Sequence, residues 1–379
     1  MPITLDGTNG ITTPMYSGAI SANAVTPSVN MKSRIINGGM TIDQRNAGAS
    51  VTAGTTVNYP VDRFGVYGSQ ASKFTAQQSS TAPTGFSNSI LITSSSAYSV
   101  TSSDIFRLQH YIEGFNTADL MFGTANAKTV TLSFWVRSSL TGTFGGSLMN
   151  SGTNRAYPFS YAISVADTWE QKSITIAGDT TGTWVGATNG IGLRIFWGLG
   201  VGSTYSGTSG AWNATDNNSV TGAVSVVGTN GATFYITGVQ LEVGSTATSF
   251  DYRPYGTELA LCYRYAWNYS SALSSNGSYL RYLSTRNAST TGVAGTLIFP
   301  VEMRTTPSLT TTGTASNYAV THTGGNTACS TVPAIGGDGS SRFQVNLEVN
   351  VASGLTSGQG SQLMSNNNQT SFLLFSAEL

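Results

Sequence analysis

The chain has 379 residues, of which 9% are charged, and its 17 basic and 17 acidic side chains cancel. That balance lacks the basic footprint of a nucleic-acid-binding protein. No apolar run approaches the roughly 20 residues of a membrane span, so membrane insertion is not expected. Glycine is abundant at 44 residues, and Ser, Thr and Asn fill much of the remainder. These are weak interior helix formers, and with Val, Ile, Tyr and Phe at alternating positions they predict an all-β protein rich in turns.

Residues 1–34 carry only Asp6, Lys32 and Arg34 as charges. Their start has no basic n-region or apolar h-region, which predicts assembly in the cytoplasm without a signal peptide. The segment has too little apolar surface to fold alone, yet Ile3, Leu5, Ile11, Met15 and Tyr16 are more than a linker needs. It reads as an extended arm ordered by packing on other chains.

Residues 35–255 form the largest predicted domain. Strands are expected at 61–67, 71–76, 88–93, 103–113, 128–138, 157–165, 169–177, 191–199 and 232–243, a spacing that fits a two-sheet sandwich. The cleanest alternation is 129–137. Leu132, Phe134 and Val136 point to a core, and Thr131, Ser133, Trp135 and Arg137 share the other face. A long insertion, 198–218, carries Tyr205 and Trp212; loops of that length are often functional. In 232–265, Gly238 marks a bulge, Pro254 stops a strand, and Thr257 N-caps a short helix from Glu258.

Residues 256–379 form a smaller β domain, with strands near 265–269, 279–285 and 295–301. The segment 343–351 alternates strictly, and 372–379 closes the chain as a last strand.

Catalytic signals are sparse. Two histidines, His110 and His322, fall in different predicted domains, and His110 sits inside a strand. There is no G-x-S-x-G, Walker A, G-x-G-x-x-G or H-E-x-x-H pattern. Cys262 and Cys329 read as small buried residues, and two Cys with two separated His do not make a zinc site. Asp167 and Glu170, or Asp104 and Glu113, form no specific carboxylate pair. Turns 178–180 and 216–218 offer oxygen ligands for calcium but lack EF-hand spacing, so no cofactor and no metal is assigned. The aromatics carry more. Five of the six Trp lie in the middle domain, and sugar rings stack on such faces while their hydroxyls pair with Arg, Asn and Gln. Trp135 with Arg137, Gln109 with Arg194 on neighbouring strands, and Tyr205 with Trp212 are the candidate carbohydrate-binding residues. The competing reading is that these Trp cap the sandwich or meet a sister subunit.

Four segments, SFWVRSSLTGTFGGSL (133–148), TWEQKSITIAGDTTGTW (168–184), NGATFYITGVQLEVGS (230–245) and FDYRPYGTELALCYRY (250–265), come in fixed order after INGGMTIDQRNAG (36–48) and YPVDRF (59–64). Together they resemble a domain widespread in phage and prophage tail-fibre-like structural proteins, over roughly 35–265. The resemblance implies a galactose-binding-like jelly roll, similar to carbohydrate-binding modules, in a virion protein that is commonly a homotrimer. ITLDGTNGITTP (3–14) resembles the opening of phage fibre proteins, which attach to the particle there. FPVEMRTTPSL (299–309) is similar to the start of C-terminal domains that follow this jelly roll. The expectation is a tail fibre or spike joined to other virion proteins through residues 1–34, binding host surface glycan without catalysis. The alternatives are a purely structural adaptor or head-decoration protein and, third, a polysaccharide depolymerase. Phe250, Tyr252, Arg253 and Tyr255 then read as interdomain or intersubunit packing.

Overall fold

The computed structural model describes residues 4–6, 10–12, 31–273 and 279–379. It divides into two compact units, Met1–Lys32 and Ser33–Leu379. In the first, β1 (Thr4–Asp6) pairs antiparallel with β2 (Gly10–Thr12), setting Leu5 opposite Ile11. Ile3, Met15 and Tyr16 of the expected arm lie outside the described residues.

The second unit begins with a jelly-roll sandwich. Its strands are β3 (Val51–Thr52), β4 (Asn58–Val61), β5 (Phe64–Gly68), β6 (Phe74–Ser79), β7 (Ser89–Ser94), β8 (Ile105–Glu113), β9 (Val130–Ser138), β10 (Gly142–Met149), β11 (Ala156–Ile163), β12 (Glu170–Ile176), β13 (Ile191–Val201), the short pair β14 (Ser206–Gly207) and β15 (Ser219–Val220), and β16 (Thr233–Val243). One six-stranded sheet runs β12-β9-β16-β7-β6-β3 and the other β11-β10-β13-β8-β5-β4. Alternating residues of both fill the space between them. Leu132, Phe134, Val136, Phe234 and Ile236 from the first sheet meet Phe64, Phe106, Phe144, Phe159 and Trp197 from the second, all essentially without solvent exposure. Trp197 meets Phe134 edge-on across the core at 5.9 Å.

Three expectations change on contact with the structure. The single strand expected at 61–67 is a hairpin, β4 and β5, turning at Asp62-Arg63 with Arg63 at φ 70°. The turn forms there because both side chains are drawn into a buried ionic cluster. β10 lies outside the expected strands and is rich in glycine. The glycines are needed for close approach: a Cβ on Gly146 would lie 2.2 Å from the Phe196 carbonyl oxygen, and one on Gly145 2.5 Å from Ser219 Oγ. Thr131 and Ser133, expected on an open face, are buried. The chain after β16 folds back over them, with Thr131 Oγ1 donating to the Gly244 carbonyl at 2.8 Å. Glu242 anchors that return by accepting from Gln240 Nε2 (2.8 Å), Thr248 N (2.8 Å) and Thr248 Oγ1 (2.7 Å).

Asp104 fixes the start of β8. Burial pushes its pKa up, but bonds from Thr101 N (2.8 Å), Thr101 Oγ1 (2.7 Å), Ser69 Oγ (2.7 Å) and Tyr98 Oη (3.0 Å) outweigh this and hold it at about 2. A carboxyl whose folded pKa is depressed adds stability above its unfolded value, which is lost as pH falls through the folded one. Denaturant titrations should therefore show wild type more stable than Asp104→Asn at neutral pH, the difference shrinking between about pH 4 and pH 2. A difference independent of pH would contradict this.

After the sandwich comes the helix α1 (Tyr255–Tyr263). It starts three residues before the expected Glu258, with Pro254 at its N-cap and Glu258 in the first turn, where a carboxylate suits the helix dipole. The C-terminal strands are β17 (Ala266–Ser270), β18 (Arg281–Asn287), β19 (Gly292–Ile298), β20 (Ser308–Thr311), β21 (Tyr318–His322), β22 (Gly325–Ala328), β23 (Ala334–Ile335), β24 (Gln344–Asn350), β25 (Gly360–Ser365) and β26 (Phe372–Ser376). They make a three-stranded sheet, β17-β26-β20, and a seven-stranded one, β22-β21-β25-β18-β19-β24-β23. Val345, Leu347 and Val349 of the alternating segment are buried with Tyr318, Leu363 and Phe375.

The two β regions of this unit are tied by charge as well as by apolar contact. Glu378 pairs with Arg63 and with Arg45 (2.9 Å), and Arg45 also reaches Asp62 at 3.3 Å. Arg264 grips Glu113 with two bonds of 2.6 and 2.8 Å, and Tyr265 Oη donates to the same carboxylate at 2.7 Å. The Arg63 guanidinium lies 3.6 Å above the Tyr265 ring. No helix among the described residues is long and apolar enough to cross a membrane.

Candidate functional site

The alternation of β9 places Trp135 and Arg137 on the outward face of the β12-β9-β16-β7-β6-β3 sheet. Pairing builds a row across it: Gln77 lies opposite Leu91, Leu91 opposite Tyr235, and Tyr235 opposite Arg137. The Arg137 guanidinium stands 5.1 Å from the Tyr235 ring and reaches Asp167 at 3.2 Å. Trp169, just before β12, meets Tyr235 edge-on at 6.0 Å. Trp135 forms the next row, paired with Gln171 and Thr237.

The row continues because β16 is irregular beyond Thr237. Gly238 takes φ 61°, and a Cβ there would lie 2.7 Å from the Phe86 ring and 3.0 Å from Trp135. A glycine is required, and it lets the two aromatics close over it. Phe86 in turn packs on Phe250 (5.0 Å) and Tyr252 (5.6 Å), and those two on each other (4.9 Å). A shallow cleft lies here, lined also by Thr41, Ser87, Asp251 and Glu258. Trp169, Tyr235, Arg137, Trp135, Phe86 and Tyr252 thus form one half-exposed to exposed stripe. It offers aromatic faces beside guanidinium, amide and hydroxyl groups, the set that holds a sugar chain by stacking and hydrogen bonding.

Gln109 and Arg194 lie elsewhere. They sit on the paired strands β8 and β13, where Phe196 is opposite Gln109 and Arg194 opposite Tyr111. Their face is the outward one of the second sheet, so the whole core separates them from Trp135 and Arg137. The loop carrying Tyr205 comes to the Gln109 side, its carbonyl accepting from Asn218 N at 2.7 Å. Trp212 belongs to neither face. Its indole donates to the Ala177 carbonyl at 2.7 Å, and its ring packs on Tyr157, Trp184 and Phe122. The six candidate residues therefore occupy three places and do not form one site.

Of the residues read as packing, Arg253 is buried, donating to the carbonyls of Ile35 (2.9 Å) and Ser33 (2.5 Å) and pairing with Glu258 at 3.3 Å. Phe250 is half-buried in the stripe. Tyr252 and Tyr255 are 62% and 64% exposed. Phe86, Trp169, Tyr235 and Arg107 were not singled out from sequence. Tyr235 could have been, since it alternates with the core residues Phe234 and Ile236, whereas Phe86 sits in a loop without periodicity.

Carboxyls with displaced pKa serve structural contacts. Burial pushes Asp62 up to about 6 against the pull of Arg45 and Gln44, inside the ionic junction. Asp179, in one of the turns considered for calcium, is held by Arg155 through two 2.7 Å bonds. Among the described residues no group of three or more His, Cys, Asp or Glu is placed to hold a metal. His110 is buried against Phe64 at 4.6 Å, and burial lowers its pKa well below the usual value. Cys262 and Cys329 are buried and unpaired.

No family model and no curated protein matches the chain. Among solved structures, it is similar to a putative sugar binding protein from Bacteroides thetaiotaomicron, with 12% identity over 56% of this chain and 100% of that one (TM-score 0.32). It is also similar to the family 11 carbohydrate-binding module of Clostridium thermocellum, with 10% identity over 54% of this chain and 100% of the module (TM-score 0.27). The enzymatically active domain of tailspike protein 4 from bacteriophage CBA120 shares 13% identity over 56% of this chain, at a TM-score of 0.28. That match spans only 22% of the tailspike chain.

Proposed function

We propose that this protein is a virion component of fibre or spike type that binds host surface glycan without cleaving it. The observation that carries the glycan reading is the outward stripe from Trp169 through Arg137 and Trp135 to Tyr252. A sandwich has no folding need for that many rings on a solvent face, since its core is already filled by Phe64, Phe134, Phe144 and Trp197. The ordered motifs between 36 and 265, with the ITLDGTNGITTP opening, support the virion reading. In it, residues 1–34 attach to other virion proteins and the chain assembles as a homotrimer on the particle. Exposed Ile298 and Phe343, at neighbouring ends of β19 and β24, offer apolar surface to sister chains.

Incubating the full-length protein with polysaccharide extracted from host cells tests this reading. Saturable retention without new reducing ends is expected. Absence of retention would instead favour a structural adaptor or decoration protein, and release of reducing ends would favour a depolymerase.

A further inference from the structure

The cleft at the Tyr252 end of the stripe differs in charge from the sheet beside it. On the sheet, Arg137 already meets Asp167 at 3.2 Å, and Lys172 of the edge strand meets Glu170 at 2.6 Å. The cleft is lined by two carboxylates, Asp251 and Glu258, and by one guanidinium, Arg253. The Arg253 side chain is only 6% exposed. It is spent on the carbonyls of Ser33 and Ile35 and on Glu258. Glu258 is taken from its other side by the Asn37 backbone N–H. Asp251 is held more loosely, accepting from Ser33 N at 3.3 Å and lying 3.6 Å from Arg253.

Asp251 is also within reach of a ligand. Its side chain is 19% exposed, beside the exposed Thr41 and Ser87 and the 62% exposed ring of Tyr252. Both walls are fixed in place. Asp251 N donates to Gln240 Oε1 at 2.8 Å, and Tyr252 Oη donates to the Gly85 carbonyl at 2.7 Å. A pyranose ring can lie on the tyrosine face. An ionised carboxylate only accepts, and a sugar hydroxyl can donate to it in a charge-assisted bond. An acidic group brought to the same place would meet like charge, with the lining guanidinium already committed elsewhere.

We infer that this cleft makes the stripe selective for uncharged sugars, with Asp251 accepting from the hydroxyls of a unit stacked on Tyr252 and repelling acidic units. The inference rests on the glycan reading above and adds the class of glycan and the residue that sets it.

The test separates polysaccharide extracted from host cells into neutral and acidic pools by anion exchange, and measures binding of the full-length protein to each. The neutral pool should be retained. Oxidising its primary hydroxyls to carboxylates should weaken binding by about tenfold or more. Asp251→Asn should bind the unmodified polymer less tightly and lose most of the discrimination against the oxidised one. Thr41→Lys, which sets a cation at the exposed rim, should bind the oxidised polymer more tightly than wild type does. Trp135→Ala should weaken both forms alike. Unchanged thermal unfolding of the variants keeps the comparison valid. Retention confined to the acidic pool, equal affinity for native and oxidised polymer, or a discrimination that neither Asp251→Asn nor Thr41→Lys alters overturns the inference. Failure of the glycan reading looks different: neither pool is then retained, and both readings fall.

Discussion

Replacing Glu378 by Ala is expected to destabilise the protein by about 3–5 kcal/mol, the cost of leaving buried charges unpaired. Glu378 answers two guanidiniums, Arg63 and Arg45, whose side chains are 2% and 10% exposed. Among the described residues Arg63 has no other carboxylate partner. Arg45 retains Asp62 at 3.3 Å, and Arg63 retains the Tyr111 carbonyl at 2.6 Å and the Tyr265 ring. Because Glu378 follows β26 while Arg45 and Arg63 belong to the sandwich, the loss falls on the joint between the two β regions. Urea unfolding should show a lower midpoint, and the transition should broaden or split as the regions cease to unfold together. The exposed pair Arg137–Asp167 supplies the contrast, since Asp167→Ala should change stability by less than about 1 kcal/mol. Equal effects of the two substitutions would mean that burial of the joint contributes nothing special.

Trp197→Ala is expected to cost about 3–5 kcal/mol, the range for emptying a buried aromatic site. Trp197 is fully buried between Phe64 (6.3 Å) and Phe134 (5.9 Å), at the centre of the contact between the sheets. Its indole N–H has no partner, so the side chain is held by shape rather than by a hydrogen bond. Trp197→Phe also removes that unsatisfied donor and should therefore cost only about 1–2 kcal/mol. Denaturant midpoints of the two variants check the order. A phenylalanine variant as unstable as the alanine one would show that the N–H is satisfied in solution, by water.

The two tryptophans Trp197 and Trp135 show what could be read from sequence and what could not. Strand alternation alone separates an inward Phe134 from an outward Trp135, because a side chain's face in a strand depends only on its parity. The all-β class, the 343–351 strand and the last strand were legible for the same reason. The burial of Thr131 and Ser133 was not, because it depends on where the chain after β16 returns. The hairpin at Asp62-Arg63 was hidden because its cause, Glu378, lies more than 300 residues away. Which sheet each candidate joined was also hidden. Gln109 and Arg194 are neighbours, as strand spacing suggested, yet the order β10-β13-β8 puts them behind the core from Trp135. Assembling the stripe needed a loop residue, Phe86, brought to Trp135 by one left-handed glycine, Gly238.

The central claim is that this stripe binds glycan, and the most direct measurement is a binding isotherm for extracted host polysaccharide with wild type and Trp135→Ala. A stacking ring is worth about 0.5–1.5 kcal/mol beyond the area it covers, so a roughly tenfold weaker affinity is predicted. Because Trp135 is only half-buried, the melting temperature and oligomeric state should stay the same. Superimposable isotherms from a variant with an unaltered fold would contradict the account.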